Sequence, residues 1–169
     1  MADSLRATVM YVVLGVVLAF AINQGLATAM MTDKPIVAVE SNSMAGNRPD
    51  SFSRGDILFL QGQEQYKVDD IIVYSVPQQS TPIVHRIIKI NQDGTYQTKG
   101  DANAGQLPFE TSVKLEWIHG KVVFIVPYLG FVKITVTEYI IPNAVVIIGA
   151  IIALVIATFG IERFVGRKE

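Results

Sequence analysis

A mainly β domain carried between two membrane-crossing helices is the fold class that this sequence predicts. Three observations lead there. Half of the 169 residues are apolar, and the mean hydropathy of +0.39 is high for a water-soluble domain. The excess is concentrated in two charge-free stretches, one near each end. Between them lie short runs rich in Val, Ile, Phe and Tyr, separated by Gly, Pro, Asn, Asp and Gln, which is the pattern of strands and turns.

The first stretch, ATVMYVVLGVVLAFAINQGLATAMM from Ala7 to Met31, is long enough to cross a bilayer core of about 30 Å as a helix. A cleaved secretory signal competes, because Arg6 precedes the apolar run and small residues close it. The uncharged stretch is longer than a signal's apolar core, which favours a retained anchor. The second, YIIPNAVVIIGAIIALVIATFGI from Tyr139 to Ile161, starts with Pro142 suitably placed for a first helical turn. Arg6 precedes the first span, and Arg163, Arg167 and Lys168 follow the second. Positive flanks favour the cytoplasm, and the segment between is too long for its charges to count. The expected layout is residues 1–31 as tail and first span, 32–138 as an extracytoplasmic β-rich domain, 139–161 as second span and 162–169 as cytoplasmic tail. This describes a multi-pass protein of the cell membrane, in contact with lipid.

Within the central domain, PIVAV (Pro35 to Val39) opens as a short strand. DILFLQG (Asp56 to Gly62), DIIVYSV (Asp70 to Val76), IVHRIIKI (Ile83 to Ile90), TYQTKG (Thr95 to Gly100) and HGKVVFIV (His119 to Val126) follow. The QDG before Thr95 predicts a hairpin turn. No interior segment has a helical period, and there is no internal repeat.

Several classes of function are disfavoured. A net charge of −1 and a pI near 6.1 do not suit a general nucleic-acid binder. The absence of cysteine excludes disulfides, thiolate metal sites and a cysteine nucleophile. No metal-ligand cluster or phosphate-cradling glycine pattern is present, so no cofactor is expected.

The strand at Pro35 runs into ESNSMAG, Glu40 to Gly46, where two serines flank an asparagine. Alone, this is an ordinary strand end. Serine catalysis needs a base and a group to orient it. The chain has two histidines: His85 inside an apolar strand and His119 at a strand start. Asp101, in TKGDANAG, follows a glycine at a strand end. Each taken singly suits a structural role.

Taken together, SNSM, RGDILF with DIIVYSV, VHRI, TKGDAN and HGKVVFIVPYLGF stand in an order that resembles type I signal peptidases. The resemblance is to the archaeal and endoplasmic-reticulum branch, which uses histidine where the bacterial branch uses lysine. It covers nearly the whole central domain. It implies a compact signal-peptidase-like β-fold and a membrane-bound serine endopeptidase that removes signal peptides from secretory preproteins after small residues. It implies Ser43 as nucleophile, His85 as general base, Asp101 as supporting acid and Ser41 as oxyanion donor. Met44 is expected on the apolar, membrane-facing rim. The translocation machinery is a possible partner, and the domain would face the endoplasmic-reticulum lumen in a eukaryote.

Two departures stand out. Proline follows the Ser-Met pair late, at Pro49. The second aspartate expected six positions after Asp101 is Leu107, which makes Glu110 a rival acid. Arg54 and Asp56 are expected to be structural. A non-catalytic membrane-anchored scaffold or binder is the alternative of a different class, and a lysine dyad using Lys89 or Lys99 is a lesser one.

Overall fold

The computed structural model describes residues 2–146, 148–150 and 153. The first element is helix α1 (Ala2–Ala29). Its segment Arg6–Ala29 is 24 residues long and none of its apolar window is buried inside the protein. At 1.5 Å per residue it spans about 36 Å, enough for a bilayer core. Apolar side chains left bare along a whole helix are what a lipid-embedded anchor presents. About half of the second predicted span, Tyr139 to Ile161, lies outside the described residues. Leading into it are a short helix, α2 (Gly130–Thr135), and a π-helical turn (Val136–Ile140).

Between the helices, six strands form one antiparallel sheet: β1 (Ile36–Ala38), β2 (Ile57–Gln61), β3 (Ile71–Tyr74), β4 (Ile83–Ile90), β5 (Tyr96–Lys99) and β6 (Ile118–Val126). Their order is β1-β2-β6-β3-β4-β5. All six predicted strands are present within a residue or two of their expected bounds. The turn before Thr95 also forms as predicted. Gly94 adopts φ +82°, which glycine tolerates without a Cβ penalty, and the Asn91 carbonyl accepts the Thr95-paired return of the chain (Gly94 N–H to Asn91 O, 3.1 Å; Asn91 N–H to Thr95 O, 2.8 Å). Two 3₁₀ turns missing from the sequence reading lie between β5 and β6, at Pro108–Thr111 and Leu115–Trp117.

β3 is one of the two central strands, and all four of its residues are buried. Because successive side chains alternate, Ile71 and Val73 enter one core with Val39, Phe52, Leu58 and Leu60. Ile72 and Tyr74 enter a second with Ile87, Tyr96 and Val113. Met44 belongs to the first core and is only 1% exposed, so it does not lie on a membrane-facing rim as expected. The long, unbranched thioether fills the space behind the serine loop, and its burial contributes about 1.5–3 kcal/mol.

The anchor joins the sheet without slack. The Gly62 N–H donates to the Met30 carbonyl at 2.8 Å. A Cβ on Gly62 would fall 1.8 Å from the Met31 carbonyl oxygen, a position no side chain can occupy. Asp56 and Arg54 have structural roles, as expected, though not as a pair with each other. Asp56 accepts the Ser53 and Tyr128 N–H groups, and Arg54 bonds Glu138.

Candidate active site

The serines sit where β1 gives way to a pinned loop. Val39 is locked by two backbone bonds, its N–H to Asp56 O at 2.9 Å and its carbonyl to Gly55 N–H at 3.0 Å. Asn42 turns its side-chain oxygen to the Arg54 N–H at 2.9 Å, so the middle residue of SNS secures the loop. The flanking hydroxyls are left together, with Ser41 Oγ and Ser43 Oγ 3.2 Å apart. The Ser43 carbonyl accepts the Ala102 N–H at 2.9 Å, which fastens this loop to the turn after β5.

His85 comes to the same place from β4. It is 4% exposed, and its Nδ1 bonds Glu110 Oε1. Glu110 is fully buried. Its second oxygen takes the Leu107 N–H at 2.5 Å, which is the N3-to-N-cap half of a capping box. Nδ1 therefore carries the proton, because a carboxylate can only accept. The other ring nitrogen, Nε2, faces Gly100. A Cβ on Gly100 would lie 2.8 Å from Nε2 and 2.7 Å from the Ser43 carbonyl. Only a bare glycine lets base and serine loop approach there. In this conformation Ser43 Oγ bonds Ser41 and makes no hydrogen bond to His85.

Burial lowers the His85 pKa from the ordinary histidine value, and the charge and hydrogen bond of Glu110 pull it partly back. The ring is neutral at pH 7, as a proton acceptor must be.

Asp101 does not make the expected contact with His85. Neighbouring residues on a strand point to opposite faces, and Asp101 lies with Arg86. It takes Arg86 Nε at 3.0 Å and Nη2 at 2.7 Å. Arg86 is buried and also grips both oxygens of Asp50 at 2.8 and 3.0 Å and the Asp69 carbonyl at 3.1 Å. One guanidinium thus ties the serine loop, the turn before β3 and the turn after β5 to the strand carrying His85. Removing one partner of a buried ionic cluster typically costs about 3–5 kcal/mol, so Arg86→Met is expected to lower the thermal midpoint of the full-length chain in detergent markedly.

The Arg86 hydrogen bond lowers the Asp50 pKa, opposed by partial burial. With the folded-state value depressed, the stabilisation is complete above the unfolded value and is lost as pH falls through the folded one. Melting curves from pH 7 down to pH 2 should therefore show an acid loss that is smaller in Asp50→Asn.

A cavity of about 730 Å³ opens beside these groups. One wall is β1 and its continuation through Ser41 and Ser43, and the other is Pro82 to His85 at the start of β4. On the cavity side β1 has no strand partner, because it lies at the end of the sheet and pairs only with β2. Neither Lys89 nor Lys99 lines the cavity. Lys89 is exposed, and Lys99 sits opposite Arg86 in the β4–β5 register.

The residue that sequence reasoning ranked second, Glu110, is the one on the imidazole. Its signal was local: Pro108 and Glu110 follow Leu107 in the order of a capped turn, which ties down a long side chain.

No protein-family model matches the chain. Named relatives do. The chain is 38% identical over 131 residues to the signal peptidase complex catalytic subunit SEC11 of Zygosaccharomyces rouxii, covering 71% of this chain and 76% of that protein. It is 37% identical over 133 residues to the protein of the same name in Lachancea thermotolerans, with 71% and 76% covered. The Sclerotinia sclerotiorum protein is 35% identical over 132 residues, with 72% and 74% covered. At that identity and coverage, the chain belongs to the family of signal peptidase complex catalytic subunits, the endoplasmic-reticulum-type branch of type I signal peptidases.

Proposed function

We infer that this chain removes signal peptides from secretory preproteins by serine attack, with Ser43 as nucleophile, His85 as general base and Glu110 as the carboxylate that orients the base. The observation that carries this reading is the buried Glu110–His85 pair, which fixes the proton on Nδ1 and leaves Nε2 free beside the Ser43 loop. In this scheme the Ser43 side chain turns from Ser41 toward Nε2 before attack. As Oγ attacks the scissile carbonyl, the imidazole takes its proton, and Glu110 stabilises the imidazolium that forms. The imidazolium then protonates the leaving amine, and water returns the acyl-serine to the free enzyme through the same base. Asp101 acts as a positioning residue, keeping the turn after β5 on Arg86 and so the Ala102 N–H on the Ser43 carbonyl.

An extended peptide fits the cavity by adding to the open edge of β1. Ser43 and Leu107 both line this cavity, and the small residues before the cut would lie beside them. The proposed topology is two spans with both tails cytoplasmic and the catalytic domain on the extracytoplasmic side, where secretory preproteins emerge from the translocation machinery. The domain has the signal-peptidase β-fold on this reading.

The test is cleavage of a preprotein by the full-length chain in detergent, with the cut site mapped and Ser43→Ala as control. Absence of cleavage by the wild type would leave the scaffold reading in its place. Ser41 is a helper in this scheme, donating to the oxyanion beside the Ser43 N–H. Losing one such donor costs about 10²–10³ in rate, so Ser41→Ala is expected to keep measurable turnover. A wild-type rate in that variant would remove Ser41 from the oxyanion site.

A further inference from the structure

Between α1 and β1 the chain passes through Thr32, Asp33, Lys34 and Pro35, and a single imidazole ties this linker to the sheet. His119 on β6 places Nδ1 2.8 Å from Asp33 Oδ1. Its Nε2 lies 2.7 Å from Ser75 Oγ and 3.0 Å from Lys34 Nζ. The Asp33 carboxylate only accepts, so the proton is on Nδ1. The Lys34 ammonium only donates, so Nε2 is bare. The two linker residues therefore fix the same neutral tautomer from opposite sides.

Serine, histidine and aspartate in this order would otherwise describe an activated nucleophile. Here Lys34 shares the lone pair on which Ser75 would unload its proton. The cluster is built to hold.

What it holds is the approach to the substrate edge. Lys34 lines the cavity together with Ile36, and β1 begins two residues later. The Lys34 N–H is turned onto Thr32 Oγ1 at 3.1 Å, and the Pro35 carbonyl accepts the Leu60 N–H at 3.0 Å. Beyond those bonds β1 has only three residues in register with β2. A strand this short takes its position from its ends.

We propose that His119 is a positioning residue for the substrate: through Asp33 and Lys34 it sets the start of β1, the edge on which the extended peptide aligns. The proposal rests on the cavity being the peptide site. Edge alignment is used equally by bound substrate and transition state, so its loss raises KM and spares kcat.

The experiment is steady-state cleavage of a preprotein by the full-length chain in detergent, with thermal unfolding measured alongside. His119→Ala is expected to raise KM about tenfold, as for loss of hydrogen bonds to charged groups, with kcat retained. Asp33, whose side chain is 63% exposed, is expected to give the same KM change in Asp33→Ala. The double variant should be no worse than either single, because both break one latch. His119→Asn, whose amide reaches the Nδ1 position and still donates to Asp33, should recover part of the KM.

Loss of kcat at unchanged KM, unchanged kinetics, or additive effects in the double variant would each overturn the proposal. If His119→Ala does not fold, Asp33→Ala and His119→Asn carry the test. Near-wild-type cleavage by Ser43→Ala would overturn the site reading instead, and that outcome is separate from the KM comparison.

Discussion

Ser43→Ala and His85→Ala are each expected to slow signal-peptide cleavage about 10⁶-fold, and the double variant to be no slower than either single one. The reason for the non-additivity is that neither group works alone. Without His85, Ser43 keeps a proton that nothing nearby can take. Without Ser43, the imidazole has no alcohol to activate. What survives in all three variants is binding in the cavity and stabilisation of the oxyanion. Single-turnover cleavage with excess enzyme measures this directly, because it removes product release from the rate. His119→Ala is the contrasting control, since its imidazole is engaged with Asp33, Ser75 and Lys34. If His119→Ala were dead while His85→Ala retained turnover, the base would have been assigned to the wrong histidine.

Glu110→Gln is expected to reduce turnover about 10³–10⁴-fold while leaving the chain folded. The substitution keeps shape and removes charge, and the surrounding donors decide what happens next. The Leu107 N–H needs an acceptor, so the new amide turns its oxygen there and its NH₂ toward Nδ1. The ring must then accept at Nδ1 and carry its proton on Nε2, where a proton acceptor is required. Flipping the amide restores the tautomer but sets an NH₂ against the Leu107 N–H. The first arrangement puts the proton on the wrong nitrogen, and the second leaves the buried Leu107 N–H without an acceptor.

A pH profile adds a second signature. Burial places the His85 pKa below the ordinary histidine value and Glu110 raises it in part. The acid limb of kcat/KM in the wild type is therefore expected below the ordinary histidine value. Removing the anion moves it lower still. An unchanged limb in Glu110→Gln, or near-normal turnover, would show that Glu110 does not act on His85. Asp101→Asn, by contrast, is expected to act through the Arg86 cluster, so its loss of rate should come with a lowered melting temperature.

The fold was largely legible because each strand announces itself by short-range chemistry. Ile71 to Tyr74 is a β-branched and aromatic run, and Gly94 marks a turn within four residues. That the two serines and His85 line one cavity agrees with a reading in which each is fixed within its own motif. The choice between Asp101 and Glu110 was not legible. It depends on which face of β4 each carboxylate meets, and a one-residue step from His85 to Arg86 reverses that face. The Leu107 N–H that immobilises the Glu110 side chain is likewise a contact outside that residue's own motif. Met44 was misjudged because the residues that cover it, Phe52 and Leu58, lie farther along the chain.

The junction at Gly62 turns the protein into a depth gauge. The Met30 carbonyl is bonded to the Gly62 N–H and there is no space there even for a methyl group, so the end of β2 is seated directly against the residues that follow α1. On the proposed function, this contact would set the height of the Ser43 loop above the lipid by the depth of α1. A preprotein whose apolar core sits in the same bilayer would be measured against that height. Of several small residues following the core, the one at the matching elevation would be presented to Ser43, and the others would pass above or below it. Selectivity on this view is partly metric. The membrane supplies the zero of the scale, and the anchor supplies its rigidity.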